Sequence, residues 1–407
     1  MKYFKNLELA RVYHISEKSV RNWISSAKQG RLKLELYNHK GRDYIANTAK
    51  NQALIEELVI RGSKYKNTRS SKIATPKPEL YNLYSRKQIL DMVSNIGTYS
   101  ELPFAYTYAN GGAAYWDKYA YKLYNEKTLN TLNAAVTLLE LNQAYLTHIT
   151  QKYQHVNIIE LGPGNCLPSK EVIAHFLKTK QLKRYIAIDL SKEMLDIAEE
   201  NIQTWFKGEV LFERYIRDFN NERFEDLVAQ DTFSDDNQST VNLILMFGGT
   251  ILNFRSPEHA LQVINSSMGK HDIFIQCMKL DSVNSRRFFD LNIDDSSQHL
   301  LAPQERFLLD LLGIDESYYE VLQYFDEQQR MRQARIKLKV DLSIVFTELN
   351  KRVQLRKGES LLLWRVWHLK GHEAAAQLRR TNFDVLQLSK TNNQEYLLTT
   401  SKIKTEL

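Results

Sequence analysis

Cysteine is nearly absent: Cys166 and Cys277 are the only two in 407 residues. That excludes a disulfide framework and any zinc site built from cysteine, and it fits a reducing, cytoplasmic setting. No metal site is expected. No run approaches the roughly 18 uninterrupted apolar residues of a membrane span, so no membrane partner is expected either. The opening MKYFKNLELARVYHIS contains no apolar h-region, and no secretory leader is expected from it. A heptad run long enough for a coiled coil is also missing. What remains is ordinary for a globular protein: 43% hydrophobic and 25% charged residues, in a length that suggests two or three domains.

The net charge of +7 is unevenly spread. Residues 1–77 carry 17 Lys/Arg against 6 Asp/Glu, while the rest of the chain carries 38 against 42. A basic front end on a mildly acidic body points to an anionic partner for the front end; a solubilising arm would look the same by charge alone. The pattern of residues 7–30, LELARVYHISEKSVRNWISSAKQG, is more informative. Leu7, Ala10 and Val12 are available to a first apolar face, His14-Ile15-Ser16 makes a turn, and Ser16 is a good N-cap. Val20, Trp23 and Ile24 form the buried stripe of a second helix. Leu32, Leu34 and Leu36 then alternate as a strand does, Asn38 to Gly41 turns, and Tyr44-Ile45 returns. A helix over 48–62 follows. The whole resembles the winged helix-turn-helix of the MerR and excisionase type. That resemblance implies that Lys18, Arg21, Asn22 and Lys28 approach DNA, with Lys40 and Arg42 on the wing near phosphate. MerR-type proteins are commonly dimers, so a homodimer is part of the same expectation. The competing reading is a helical packing module that does not touch DNA. Residues 64–79, KYKNTRSSKIATPKPE, read as a linker.

In the body, NIIELGPGNC (157–166) reads as a buried strand running into a glycine turn, and SKEVIAHFLKTK (169–180) as the helix after it. Glycine serves where backbone must take unusual angles and approach a ligand. The third glycine of a dinucleotide-binding fingerprint is missing, since Leu167 stands there, and a lone G-x-G is weak. The next strand, around Tyr185 to Ile188, ends in Asp189, 25 residues after Gly164. A carboxylate there can accept both hydroxyls of a ribose. A third strand, 210–219, ends in Asp218-Phe219, an acid and an aromatic suited to an adenine. A fourth over 240–254 runs into glycines, and 271–280 is a fifth. Strands alternating with helices argue for a parallel sheet with helices on both faces, and ligands bind at the carboxyl ends of such strands.

Glu160-Leu-Gly-Pro-Gly with Asp189 and Asp218-Phe219 resembles the class I S-adenosylmethionine-dependent methyltransferases. That resemblance implies a Rossmann-like α/β domain, S-adenosylmethionine as cofactor, and Glu160, Gly162, Gly164, Asp189, Met194, Asp218, Phe219, Phe247 and Gly248 around it. Within the class, GGTILNF (248–254), the block 335–370 around Gly358-Glu359, and TYSELPFAYTYANGGAAYWDKY (98–119) are similar to segments of the histidine-specific N-methyltransferase family of ergothioneine biosynthesis. By that similarity Asn253 holds the acceptor, with Tyr106 or Tyr108 beside it; these three are the catalytic candidates. After its Gly-Glu pair the family carries a Glu and a Ser that bind the acceptor's charged groups. The matching positions here are Trp364 and Val366, and losing such partners changes the acceptor.

The expected organisation is a small winged helix-turn-helix (1–63), a linker (64–79) and a methyltransferase domain (80–407), whose cofactor core is 153–280 and whose accessory α+β substrate region is 281–407. Segment 281–333 is expected as helices and loops with Leu308, Leu311 and Leu312 in the core, and 383–403 as a closing hairpin. The expected activity is N-methylation of a small amino-acid-like amine or imidazole, with DNA as a partner of the front end. The alternative is a transcription regulator whose methyltransferase fold senses the cofactor or a metabolite without catalysis. Methylation of nucleic acid itself is disfavoured, because no N/D-P-P-Y/F tetrapeptide and no Pro-Cys pair is present.

Overall fold

The computed structural model describes residues 3–13, 15–66, 71–109, 111–126, 128–231, 240–282, 285–286, 301 and 303–405. The chain divides into two compact units, 1–72 and 73–407, each folded on its own apolar core.

The first unit runs α1 (Asn6–Val12), α2 (Glu17–Lys28), a hairpin of β1 (Leu36–His39) and β2 (Arg42–Ile45), and α3 (Ala49–Lys66). Leu9, Ala10, Val20, Ile24, Leu34, Ile45 and Ile55 make its core. The apolar face of α1 is therefore Leu9-Ala10; Leu7 and Val12, expected inside, are exposed. His14 lies outside the described residues, and Ser16 caps α2 by accepting the Ser19 N–H at 3.1 Å. The strand expected from Leu32 begins only at Leu36. Asn51 is the reason: its side chain takes the Glu35 N–H, while the Glu35 C=O accepts from both Asn51 and the Ala46 N–H, so the donor side of a longer ladder is lost. Within the segment read as a linker, α3 continues to Lys66, β3 occupies Lys72–Ala74 and α4 (Pro78–Leu83) begins; residues 67–70 lie outside the described residues.

The second unit is built on a seven-stranded sheet, counted among the described residues, in the order β14-β15-β8-β7-β4-β5-β6. Strands β4 (His155–Leu161), β5 (Leu182–Asp189), β6 (Phe212–Ile216), β7 (Thr240–Met246) and β8 (Ile273–Lys279) are parallel. The hairpin β14 (Phe383–Lys390) and β15 (Tyr396–Ile403) adds antiparallel to β8. Both faces are covered, as near-continuous apolar strands require. One face packs on α7 (Thr131–Leu141), α8 (Gln143–Thr150), α9 (Lys170–Lys178) and α10 (Lys192–Phe206). The other packs on α12 (Pro257–Ser267) and the helix Gly371–Arg380. No described helix is long and apolar enough to cross a membrane.

A third core gathers α5 (Arg86–Tyr99), the helix Pro303–Leu311 and a sheet of β9 (Tyr319–Asp326), β10 (Met331–Leu338) and β13 (Ser360–Trp367), with β11 (Leu342–Phe346) paired to β12 (Lys351–Leu355). Leu308, Leu311 and Leu312 are buried in it. Helices and loops were expected over 281–333, but 319–326 and the start of β10 are strands. Tyr319, Val321 and Phe325 alternate with Glu320 and Tyr324 at period two, the signature of a half-buried strand. Residues 283–284, 287–300 and 302 of that segment lie outside the described residues.

Candidate functional site

Strand β4 delivers the glycine turn. Its residues VNIIEL are buried from Val156 on, and the ladder continues past the strand end, with the Gly162 N–H donating to Ile188 O at 2.9 Å. Gly162 and Gly164 sit at φ +65 and +56, a left-handed region that costs about 1–2 kcal/mol for other residues. A Cβ on Gly162 would stand 3.5 Å from the Phe219 ring and 3.6 Å from Thr250. The turn after β4 thus threads between the residues that follow β6 and β7.

Of the three acids expected at the strand tips, Glu160 lies on β4 opposite Ala187, Asp189 ends β5 opposite Ile216, and Asp218 lies two residues beyond the end of β6. Their environments differ. Glu160 is 1% exposed, and the hydroxyls of Ser169 and Tyr185 both donate to its Oε2 at 2.5 Å. Burial pushes its carboxyl up to about 7, against the pull of those two hydrogen bonds. It braces the first turn of α9 against β5. Cys166, also buried, lies 3.2 Å from the same Tyr185 hydroxyl.

Asp189 ends β5. Its Oδ1 accepts the Ser191 N–H at 2.8 Å, while burial pushes the carboxyl up to about 6. Ser191 caps α10 by accepting the Met194 N–H, and Met194 is buried. Tyr108 stands near Asp189: burial first, and the Asp189 charge second, push its hydroxyl well above the usual tyrosine range. Asp218 accepts from Asn220 N (3.1 Å) and Asn221 Nδ2 (2.8 Å), leaving Phe219 buried against Phe254 with ring centroids 5.9 Å apart.

After β7 comes Phe247, buried, then Gly248 and Gly249 at φ +72 and +76. The turn Thr250–Asn253 places Asn253 half-buried. Tyr106 lies in the turn Phe104–Tyr108; its hydroxyl donates to Asp91 Oδ2 at 2.9 Å, and its carbonyl accepts from Tyr84 at 2.5 Å. Its hydroxyl is raised by burial first, then by Asp91 and Asp218. Trp364 and Val366 share the inner face of β13 with Ala334 and Arg332 opposite them. Trp364 packs between two cores and Val366 is buried.

Several neighbours were not read from the sequence. Asn165, in the glycine turn, donates to Asp117 at 2.9 Å, and Asn201 holds its carbonyl at 3.1 Å, so α6 (Gly112–Asn125) and α10 both grip the turn. Glu101 pairs with Arg365 and with Arg255 at 3.0 Å, joining the segments on either side of the tyrosines, Asn253 and β13. Trp116 and Asp117 fall inside the segment 98–119 singled out above, but nothing in it gave them a role; the ion pairs join residues too distant in sequence to be read.

In the first unit Lys18, Arg21, Asn22, Lys28, Lys40 and Arg42 are all exposed. Arg21 bonds Glu17 at 2.8 Å and Lys28 bonds Asp43 at 2.5 Å. Lys40 occupies the hairpin turn at φ 52.

The donor set fits a nucleoside: a carboxylate at a strand tip, a turn without side chains, and a buried aromatic beside it. A sequence model described as "Histidine-specific methyltransferase, SAM-dependent" matches residues 86–402. No curated protein is matched by sequence. Among solved structures, similarity is found to an S-adenosylmethionine-dependent methyltransferase from Clostridium acetobutylicum (12% identity, 71% of this chain and 99% of that one, TM-score 0.39). It extends to the CcbJ methyltransferase from Streptomyces caelestis (10%, 63% and 92%, 0.35).

Proposed function

The chain belongs to the S-adenosylmethionine-dependent histidine-specific methyltransferase family, and on that premise we propose that it methylates nitrogen on a small amino-acid-like amine or imidazole while its first unit docks on DNA. As a member of that family it is an S-adenosylmethionine-dependent methyltransferase. The observation that supports the assignment of its site is the Gly162 turn, which bonds Ile188 one residue before Asp189 and whose Cβ, if present, would stand 3.5 Å from the Phe219 ring.

In this reading Asp189 takes the ribose hydroxyls, Phe219 lies on the adenine with Asp218 at its edge, and Met194 and Phe247 close the sides. Gly162, Gly164 and Gly248 keep the approach clear, and Glu160 holds the turn in shape. The bound cofactor supplies an electrophilic methyl group on a sulfonium. The chain's contribution is to align the acceptor nitrogen and keep water out, which can lower the barrier by several kcal/mol. Asn253 and the hydroxyls of Tyr106 and Tyr108 are the groups proposed to orient the acceptor. Both hydroxyls are held protonated and do not act as bases at neutral pH; the Tyr106 proton is given to Asp91, so toward the acceptor that hydroxyl can only accept. The acceptor nitrogen must therefore arrive neutral. Trp364 and Val366 offer no carboxylate or hydroxyl at those two positions, which speaks against histidine itself.

Isothermal titration with S-adenosylmethionine, with Asp189→Ala as control, tests the site; an unchanged affinity in the variant removes it. Profiling of metabolites with a labelled methyl donor then identifies the acceptor. The apolar pair at 364 and 366 also favours a second reading, a regulator that senses the cofactor without transfer. Demethylated cofactor accumulating with any cell-extract metabolite rules that out. DNA docking is supported by the charge excess of residues 1–77 and the exposed Lys18, Asn22, Lys40 and Arg42; a gel shift at low salt tests it.

A further inference from the structure

Helix α6 lies over the glycine turn, held there by Asp117 accepting from Asn165 at 2.9 Å and by the Gly111 N–H reaching Glu193 at 3.3 Å. One residue before Asp117 is Trp116. Its indole ring packs on Tyr108 (centroids 6.1 Å apart), Phe104 (6.4 Å) and Tyr119 (5.6 Å). Its Nε1–H is buried and has no acceptor. Buried donors in native proteins are almost always paired, with protein, water or a ligand. An unpaired one beside a ligand cradle therefore marks where a ligand's acceptor atom belongs.

The position narrows that acceptor. Tyr108, in contact with Trp116, feels the Asp189 charge, and Asp117 is tied to the glycine turn. With the ribose assigned to Asp189 and the base to Phe219, the glycine turn beneath α6 is the part of the cradle left for the cofactor's amino-acid tail. The tail's strongest acceptor is its carboxylate, and a hydrogen bond to an ionised acceptor is about twice as strong as a neutral one. We propose that the Trp116 indole N–H binds the carboxylate of the cofactor's amino-acid tail. The assignment rests on the nucleoside cradle described above. It makes α6 a sensor of the complete cofactor, since a nucleoside without its tail leaves this donor unpaired.

The test is isothermal titration of the full chain with S-adenosylhomocysteine and with 5′-methylthioadenosine, which shares the adenosine and the thioether but lacks the amino-acid tail. Trp116→Phe keeps a ring but removes the N–H. The expected result is S-adenosylhomocysteine weakened about tenfold, or about 1.4 kcal/mol, with 5′-methylthioadenosine changed by less than about twofold. Equal weakening of both ligands, or no change in either, overturns the proposal. Should Trp116→Phe not fold, 3-benzothienylalanine at position 116, which keeps the indole outline without the N–H, is read by the same two affinities. Asp189→Ala distinguishes the failures: it should weaken both ligands alike. If it weakens neither, the cradle itself is wrong and the Trp116 assignment falls with it.

Discussion

Glu160 and Asp189 sit near the ends of neighbouring parallel strands, the first buried and the second half-buried, both with carboxyls pushed up by desolvation, to about 7 and about 6. By sequence they look alike: each is an acid closing an apolar run. By partners they differ. Glu160 receives two side-chain hydroxyls from its own fold, whereas Asp189 receives backbone N–H groups from the turn that follows it. An acid bridged by side chains from two elements holds those elements together; one supported only by its own turn can offer its other oxygen to a ligand. The contrast is open to direct attack.

The largest effect should come from Asp189→Ala. Loss of a charged acceptor for two hydroxyls should weaken S-adenosylmethionine about a hundredfold, roughly 3 kcal/mol, in a titration at pH 7.5 or above. The same site has a pH signature. Hydroxyl recognition needs the carboxylate, so wild-type affinity should be flat above about pH 7 and fall about tenfold per unit below about pH 6, where the acid is protonated. Equal affinity at pH 5 and pH 8 would show that the carboxylate does not touch the sugar.

Glu160→Gln should do the opposite: little to binding and much to the pH dependence of stability. The folded carboxyl is raised from 4.5 to about 7. Its contribution to stability is therefore complete below pH 4.5 and is lost as pH rises through 7. That loss is on the order of 3 kcal/mol. A glutamine oxygen still accepts from Ser169 and Tyr185 but cannot ionise. The variant's thermal midpoint should thus rise relative to wild type between pH 5 and 8, with cofactor affinity within about threefold. A large loss of affinity in Glu160→Gln would erase the distinction between the two acids.

Two glycines refine the comparison. Gly162 and Gly164 are both left-handed, so alanine strains each by about 1–2 kcal/mol. Only at Gly162 would the new methyl meet other groups, Phe219 at 3.5 Å and Thr250 at 3.6 Å. Gly162→Ala should weaken the cofactor roughly threefold to tenfold more than Gly164→Ala at similar melting temperatures. Titration beside thermal denaturation reads both quantities.

What the sequence disclosed and what it hid follow the same division. The strand, turn, helix, strand order from Asn157 to Asp189 was legible because short βα and αβ connections leave few places for the next strand to end. The Asp189 tip was therefore legible too. The direction in which Glu160 points was not, because a strand buried on both faces shows no alternation to orient it. The hairpin of β9 and β10 was missed because Gln323 and Arg332 stand at inward positions and blur the period-two pattern. Asp117 and Trp116 could not be placed at the glycine turn, because their partner Asn165 is 48 residues away and no local pattern encodes such a meeting. In the first unit the core of helix two was readable from Val20 and Ile24, but the late start of β1 depends on the Asn51 side chain, which lies beyond any strand pattern.

The distinction between a charge already held by the chain and one left outward extends to the first unit, where the expected effects are smallest. The Lys28 ammonium is held by Asp43 at 2.5 Å. Lys40 stands exposed in the hairpin turn, with no partner among the described residues. Exposed ion pairs contribute little to stability, so neither Lys28→Ala nor Lys40→Ala should shift the melting temperature measurably. They should differ in DNA retention. A lysine on phosphate releases about one counterion, so Lys40→Ala should lower the slope of log affinity against log salt by about 1. Lys28→Ala should change that slope less, because its neutralised ammonium has less to give a phosphate and its removal frees the Asp43 carboxylate to repel one. Equal slopes for the two variants and wild type would remove the hairpin from the DNA-facing surface. A larger effect from Lys28 would move that surface to the end of α2.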